Sequence, residues 1–261
     1  MDWNEDTMRR FLAELAEASA AAILPRFQDP GLGVEWKEDD SPVTAADREA
    51  EEILRDRIRR RFPDHGIIGE EFPDLNPDAR FTWVLDPIDG TRSFVAGCPL
   101  FGTLICLRER ETPLWSAIHL PALQRLFTGN NTSAWCNDRS LQLPREAPPL
   151  HRCTLLTTDP KEPPRHHNPA GWQALLDATG PCRTWGDCFG YTLVASGVPA
   201  IMTDPVLNLW DLAALLPVLR GAGAAAADWH GRPPESAQSL VACHPRLLPD
   251  VLALLQGDPS A

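Results

Sequence analysis

Hydrophobic residues recur at helical spacing near the start of the chain. Within residues 5–24, Met8, Phe11, Leu12, Leu15, Ala18, Ala22 and Ile23 share one stripe, the signature of an amphipathic helix. A second stripe, Ala50, Ile53, Leu54, Ile58 and Phe62, follows a helix start near Thr44. Between the two, Glu35 to Pro42 is charged and aperiodic, which predicts a mobile loop. The period then shortens. Strand-like runs lie near 81–85, 101–107, 113–119 and 124–128, and their short links predict antiparallel pairing. After Pro149, strand-like segments near 152–157, 182–185, 199–203, 224–228 and 238–243 alternate with helical ones near 170–178, 187–196, 210–220 and 246–255. That alternation is the rhythm of an α/β unit. The pattern predicts an α+β domain over residues 1–143 and an α/β domain over 144–261, with a ligand site between them.

Composition narrows the function. A chain of 261 residues with 43% hydrophobic residues can bury a substantial core. A net charge of −12 argues against a nucleic-acid partner, which needs basic surface. Seven cysteines, an odd number without Cys-x-x-Cys spacing, indicate reduced thiols rather than a disulfide framework or zinc ribbon. The start of the chain has no signal-peptide apolar run, and no stretch approaches the roughly 20 residues of a membrane span. A cytoplasmic location with no membrane partner is expected.

Three acidic motifs carry the chemistry: Gly69-Glu70-Glu71, Asp86-Pro87-Ile88-Asp89-Gly90-Thr91 and Trp210-Asp211. Carboxylates gathered without balancing Lys or Arg repel one another unless solvated or bridged by a cation. A hard divalent ion such as Mg²⁺, which prefers oxygen ligands, meets that need. The run Phe81 to Leu85 reads as a buried strand that ends at Asp86, because Pro87 opposes continuation. Gly90-Thr91 can then turn backbone N–H groups toward an anion.

With Trp83-Val84-Leu85 leading into the middle motif, Ala213-Ala214 and Gly221-Ala222-Gly223 following Trp210-Asp211, and a weaker Ser41-Pro42-Val43-Thr44-Ala45-Ala46-Asp47, the chain resembles the inositol monophosphatase superfamily. Arg92-Ser93-Phe94-Val95-Ala96-Gly97, Pro99-Leu100-Phe101-Gly102-Thr103-Leu104 and Gly186-Asp187-Cys188-Phe189-Gly190-Tyr191 are similar to its histidinol-phosphate phosphatase branch. The resemblance implies a layered αβαβα sandwich and a lithium-sensitive, Mg²⁺-dependent phosphomonoesterase with two or three ions per site. It implies that Glu70, Asp86 and the Ile88 carbonyl hold one ion, and that Asp86, Asp89 and Asp211 hold another. It assigns Glu70, and Thr91 paired with Asp47, to orienting the attacking water, and the Gly90 and Thr91 amides to the phosphate. It also permits a homodimer.

Other residues keep two readings. Asp47 sits in Thr44-Ala45-Ala46-Asp47, which also reads as a capping box. Arg92 can pair with phosphate or with a nearby carboxylate. Lys37 lies in the segment that in relatives closes over the site, and reads slightly better as a solvated lysine. Asp187 can be a helix cap or a substrate contact. Asp204 stands where relatives often carry Glu against the substrate. Trp185 and Trp210 read as core. L-histidinol phosphate is the expected substrate, ahead of inositol 1-phosphate and a 3′-phosphoadenosine-type nucleotide. The alternative from another class is a scaffold that binds transcription antitermination machinery, which no basic feature of the sequence supports.

Overall fold

The computed structural model describes residues 4–37 and 42–257. Ser41 and the middle of the Glu35 to Pro42 segment lie outside the described residues. Helix α1 (Glu5–Ile23) starts where the Asn4 side chain accepts the Thr7 amide, with Glu5 and Asp6 in its first turn, where acids suit the helix dipole. The two ends of the expected loop pair as a small antiparallel ribbon of β1 (Val34–Trp36) and β2 (Pro42–Thr44). Helix α2 (Ala45–Arg61) follows directly, opened by the Thr44–Asp47 capping box.

A seven-stranded sheet then forms. It comprises β3 (Gly66–Gly69), β4 (Phe81–Asp89), β5 (Gly102–Glu109), β6 (Thr112–Leu120), β7 (Arg125–Gly129), β8 (Ala134–Cys136) and β9 (Arg139–Leu141), paired in that order. The short helix α3 (Thr91–Val95) interrupts it after β4. The strands from β4 to β9 pair antiparallel, as their short links require, and β3 pairs parallel with β4. Strand β4 does not end at Asp86. It runs on to Asp89 through a register shift against β5. Pro87 is accommodated within that irregularity, one of the few places a strand tolerates proline, and its carbonyl accepts the Thr103 hydroxyl at 2.8 Å.

The second sheet alternates with helices: β10 (Thr154–Leu156), α4 (Pro163–His166), α5 (Pro169–Ala178), β11 (Cys182–Arg183), α6 (Asp187–Ala195), β12 (Ala200–Asp204), α7 (Leu209–Gly221), β13 (Ala225–Ala227), β14 (Leu240–Cys243) and α8 (Leu248–Gln256). Its order is β11-β10-β12-β14-β13. The first three strands are parallel, as the α/β rhythm implies. Strand β14 runs antiparallel to both neighbours, because no helix separates it from β13.

Both sheets are covered on both faces. In β4, Trp83 and Leu85 join α1 and α2 through Met8, Leu12, Leu15, Leu54 and Ile58. Val84 faces the other way, onto Leu212 to Leu219 of α7 and Tyr191 and Val194 of α6, the period-2 alternation of a strand buried on both sides. Leu156, Met202 and Leu240 of the second sheet close that middle layer. The outer face of the second sheet, through Leu155, Ile201 and Val241, packs on Trp172, Leu175, Val251 and Leu255 of α5 and α8. The layers are therefore α1–α2, large sheet, α6–α7, small sheet, α5–α8: an αβαβα sandwich. Among the described residues no helix is long and apolar enough to cross a membrane.

Candidate active site

The three motifs meet at the end of β4. Its strand irregularity and the turn into α3 bring Asp86 and Asp89 beside the first turn of α7, which carries Asp211. Ligand oxygens of these three residues lie within 4.8 Å of one another. Asp86 is only 2% exposed, and its Oδ1 has no hydrogen-bond partner. A buried, unpartnered carboxylate oxygen among other carboxylates is costly. Burial raises the pKa of Asp86, with the Glu70, Asp89 and Asp211 charges adding to it. Burial, with Asp187 and Asp211, likewise raises Asp89, and Asp211 is pushed up to about 7, chiefly by burial. A divalent cation would relieve all three, and an all-oxygen donor set suits a hard ion.

The remaining predicted residues surround this triad. Glu70 lies outside it but close enough that its charge is the largest acting on Asp86. Its carboxylate is held by Lys37 Nζ at 2.7 Å, and the same ammonium reaches Glu71 at 2.6 Å. Lys37 is thus an ion-pair partner rather than the solvated lysine read from sequence. The Ile88 carbonyl accepts the Thr91 hydroxyl at 2.9 Å. Asp47 accepts the Thr44 amide at 2.8 Å and the Thr44 hydroxyl at 2.6 Å. Here it is a capping residue, while Thr91 donates to Ile88. Its buried carboxyl is pushed up to about 6.

Gly90 takes φ 81, a left-handed conformation that L side chains resist. A Cβ there would also press on the Asp187 carboxylate at 2.9 Å. It caps α3, whose first N–H groups have no partner within the helix. Arg92 is exposed, with its guanidinium 6.0 Å from the ring centre of Trp36.

Beside Asp89 and Asp211 opens a cavity of about 250 Å³. Asp187 lines it from the start of α6, at φ 50. The cap there is Gly186, without a side-chain bond, so Asp187 is not the N-cap. Burial, then the Asp204 and Asp211 charges, push Asp187 up to about 7, against a hydrogen bond from Ser93. Asp204, expected against the substrate, is 3% exposed. It accepts Thr157 Oγ1 at 3.3 Å, the Thr158 amide at 2.8 Å and the Tyr191 hydroxyl at 3.1 Å. Both its oxygens are committed to the fold, so it buttresses the cavity floor. Trp185, expected in the core, is 45% exposed.

Two wall residues escaped the sequence reading, Asp159 and Glu162, on the segment after β10. So did Glu51, buried on α2 within reach of Glu71. Glu51 had a signal. It falls on the same inward helical face as Ala46, Ala50 and Leu54, where a solvated charge does not belong.

The sequence profile of the inositol monophosphatase family matches residues 4–258. The chain belongs to that family. A histidinol-phosphatase of Chlorobaculum parvum is 40% identical over 223 residues, covering 84% of this chain and 85% of that one. A histidinol-phosphatase of Streptomyces coelicolor is 33% identical over 254 residues, covering 92% and 94%. An inositol monophosphatase structure from Zymomonas mobilis matches with a TM-score of 0.85 at 33% identity, covering 98% of this chain and all of that one. This family member is a phosphoric monoester hydrolase, and its acidic cluster sits at the junction of the two sheets.

Proposed function

We propose that the protein hydrolyses L-histidinol phosphate to L-histidinol and phosphate with Mg²⁺ held in the carboxylate cluster. The observation that carries the substrate assignment is the charge of the cavity wall. Asp89, Asp159, Glu162, Asp187, Asp204 and Asp211 line it, and among the described residues no Lys or Arg does. The leaving alcohol of histidinol phosphate carries an ammonium and a titratable imidazole, so it suits an anionic wall. An inositol is neutral and gains less from it. A bisphosphorylated nucleoside brings further negative charge and is repelled. Asp187 is the strongest candidate for the ammonium, because its oxygens are not committed to the sheet as those of Asp204 are.

On this reading Asp86, Asp89 and Asp211 would hold one ion, and Glu70, Asp86 and the Ile88 carbonyl would hold a second. Bound there, divalent ions supply charge neutralisation and a more acidic water. The chain's own groups do the rest. Glu70, once released from Lys37, accepts a hydrogen bond from the attacking water and fixes its direction. The Thr91 hydroxyl, which donates to the Ile88 carbonyl at 2.9 Å, keeps lone pairs of its own with which to accept a bond from that water. The amides of Gly90 and Thr91, at the open end of α3, donate to the phosphate oxygens. Asp187 holds the departing alcohol's cationic arm, so the phosphorus faces the cluster and the alcohol occupies the cavity. The same reading makes the enzyme sensitive to Li⁺. Release of phosphate from a panel of phosphomonoesters, with and without Mg²⁺, tests the proposal. Preference for an anionic nucleotide over histidinol phosphate would contradict it.

A further inference from the structure

We propose that the buried Glu51–Arg55 pair of α2 is a positioning device for Glu70, setting how tightly the second cation place fills. The inference rests on the cation-site reading above. Asp47, Glu51 and Arg55 follow one another at four-residue steps on α2, so they stack along one face of the helix. Glu51 has no exposed surface. A buried carboxylate is unfavourable unless paired and hydrogen-bonded, and both of its oxygens are. Arg55 Nε donates to Oε1 at 2.7 Å, and the Glu71 amide donates to Oε2 at 2.9 Å.

The rest of the Arg55 guanidinium grips the same strip of chain. Its two terminal nitrogens donate to the Pro73 and Phe72 carbonyls, each at 3.0 Å. On the other side of Glu70, the backbone of Gly69 lies so close that a Cβ there would overlap the Glu51 carboxylate. The Glu70 amide itself donates to the Leu85 carbonyl at 3.2 Å, next to Asp86. Glu70 is therefore clamped before, at and after its own position, while its side chain stays free to leave Lys37. Neither Glu51 nor Arg55 belongs to the Asp86, Asp89 and Asp211 cluster or lines the cavity. They position Glu70 through the backbone they hold; Glu51 also lies close enough to feel the Glu70 charge, and Arg55→Lys, which keeps the charge, separates the two effects. A rigid backbone presents the Glu70 carboxylate in one place. A loosened one spreads it over several, which weakens the ion without removing a ligand.

The test measures Mn²⁺ binding to Arg55→Lys, Arg55→Ala and Gly69→Ala directly, from the free-ion electron paramagnetic resonance signal. Melting temperature without metal and the Mg²⁺ dependence of turnover are followed in parallel. Lysine keeps the charge but lacks the planar fork that reaches three acceptors. Loss of a residue that orients a ligand typically weakens metal affinity by about 10–100-fold. We expect a loss in that range for one Mn²⁺ equivalent in Arg55→Ala and a smaller one in Arg55→Lys. Turnover at saturating Mg²⁺ should fall as well, but by less than the Mn²⁺ affinity, because every ligand remains and Glu70 still reaches the attacking water for part of the time. A fall in melting temperature with Mn²⁺ affinity unchanged would make the pair a purely structural clasp and overturn the proposal. If Arg55→Ala does not fold, Arg55→Lys and Gly69→Ala decide on the same criterion. A parent protein that binds no Mn²⁺ would remove the cation-site reading itself, a result distinct from equal binding by parent and variants.

Discussion

Replacing Asp187 by Asn isolates the contact on which substrate choice is argued to depend. The change removes one negative charge from the cavity wall and little else. Asn tolerates the left-handed backbone that Asp187 adopts at φ 50, and its amide oxygen can still accept from Ser93. A hydrogen bond to a charged group contributes about 1.5–3 kcal/mol. At about 1.4 kcal/mol per decade, that is a loss of about 10- to 150-fold in kcat/KM for L-histidinol phosphate. The lower part of the range is the better expectation, because a carboxyl pushed up to about 7 carries its full charge only above neutral pH. Glycerol phosphate presents no cation to this wall, so its kcat/KM should change by less than about threefold. The assay is steady-state phosphate release from both esters at saturating Mg²⁺. Equal losses on the two substrates, or no loss on histidinol phosphate, would refute the assignment of Asp187 to the ammonium.

Three further outcomes follow from the carboxylate cluster. Asp86→Asn should abolish turnover, because it removes the shared ligand. It should also raise the melting temperature of the metal-free protein by relieving an unpartnered buried charge, and near-normal phosphate release would sink the metal assignment. The pH dependence of the metal-free protein has a definite sign. Asp47 is raised to about 6, and Asp187 and Asp211 to about 7. An acid whose folded pKa exceeds its unfolded value of about 4 binds its proton more tightly when folded. Its contribution is full below that unfolded value and is lost as pH rises through the folded one. The metal-free protein should therefore melt higher at pH 5 than at pH 8, and Mg²⁺ should raise the pH 8 value more. Calorimetry showing the opposite slope would mean that these carboxyls are solvated and not crowded. Li⁺ should inhibit in an uncompetitive or mixed manner by holding phosphate product in the site, and turnover unchanged by high Li⁺ at saturating substrate would exclude that trapping.

Much of the fold was legible because its signals are local. The stripe of α1, the alternation of β4 and β5, and the strand–helix rhythm after Pro149 are each written within a dozen residues. Strands β1, β2, β3, β8 and β9 were missed. Each spans only three or four residues, too few for a period to show. Strand β4 passed through Pro87 because a register shift absorbed it. At the site, the clustered acids were readable because they sit in compact motifs. Their neighbours were not. Lys37 meets Glu70 across 33 positions, and Thr158 meets Asp204 across 46. Only the packed sheets bring such pairs together. Asp159 shows the same limit, since an acid in a polar segment gives no local sign that it faces a cavity.

On the proposed reading, an anionic cavity beside a divalent-cation cluster selects a phosphate ester of a cationic alcohol. The most direct test is the kcat/KM of the purified enzyme for L-histidinol phosphate, inositol 1-phosphate and 3′-phosphoadenosine 5′-phosphate, measured side by side at saturating Mg²⁺ and again with the metal chelated. Histidinol phosphate should rank first and the bisphosphorylated nucleoside last, with no turnover of any ester without divalent metal. Turnover that survives chelation, or a preference for the nucleotide, would contradict it.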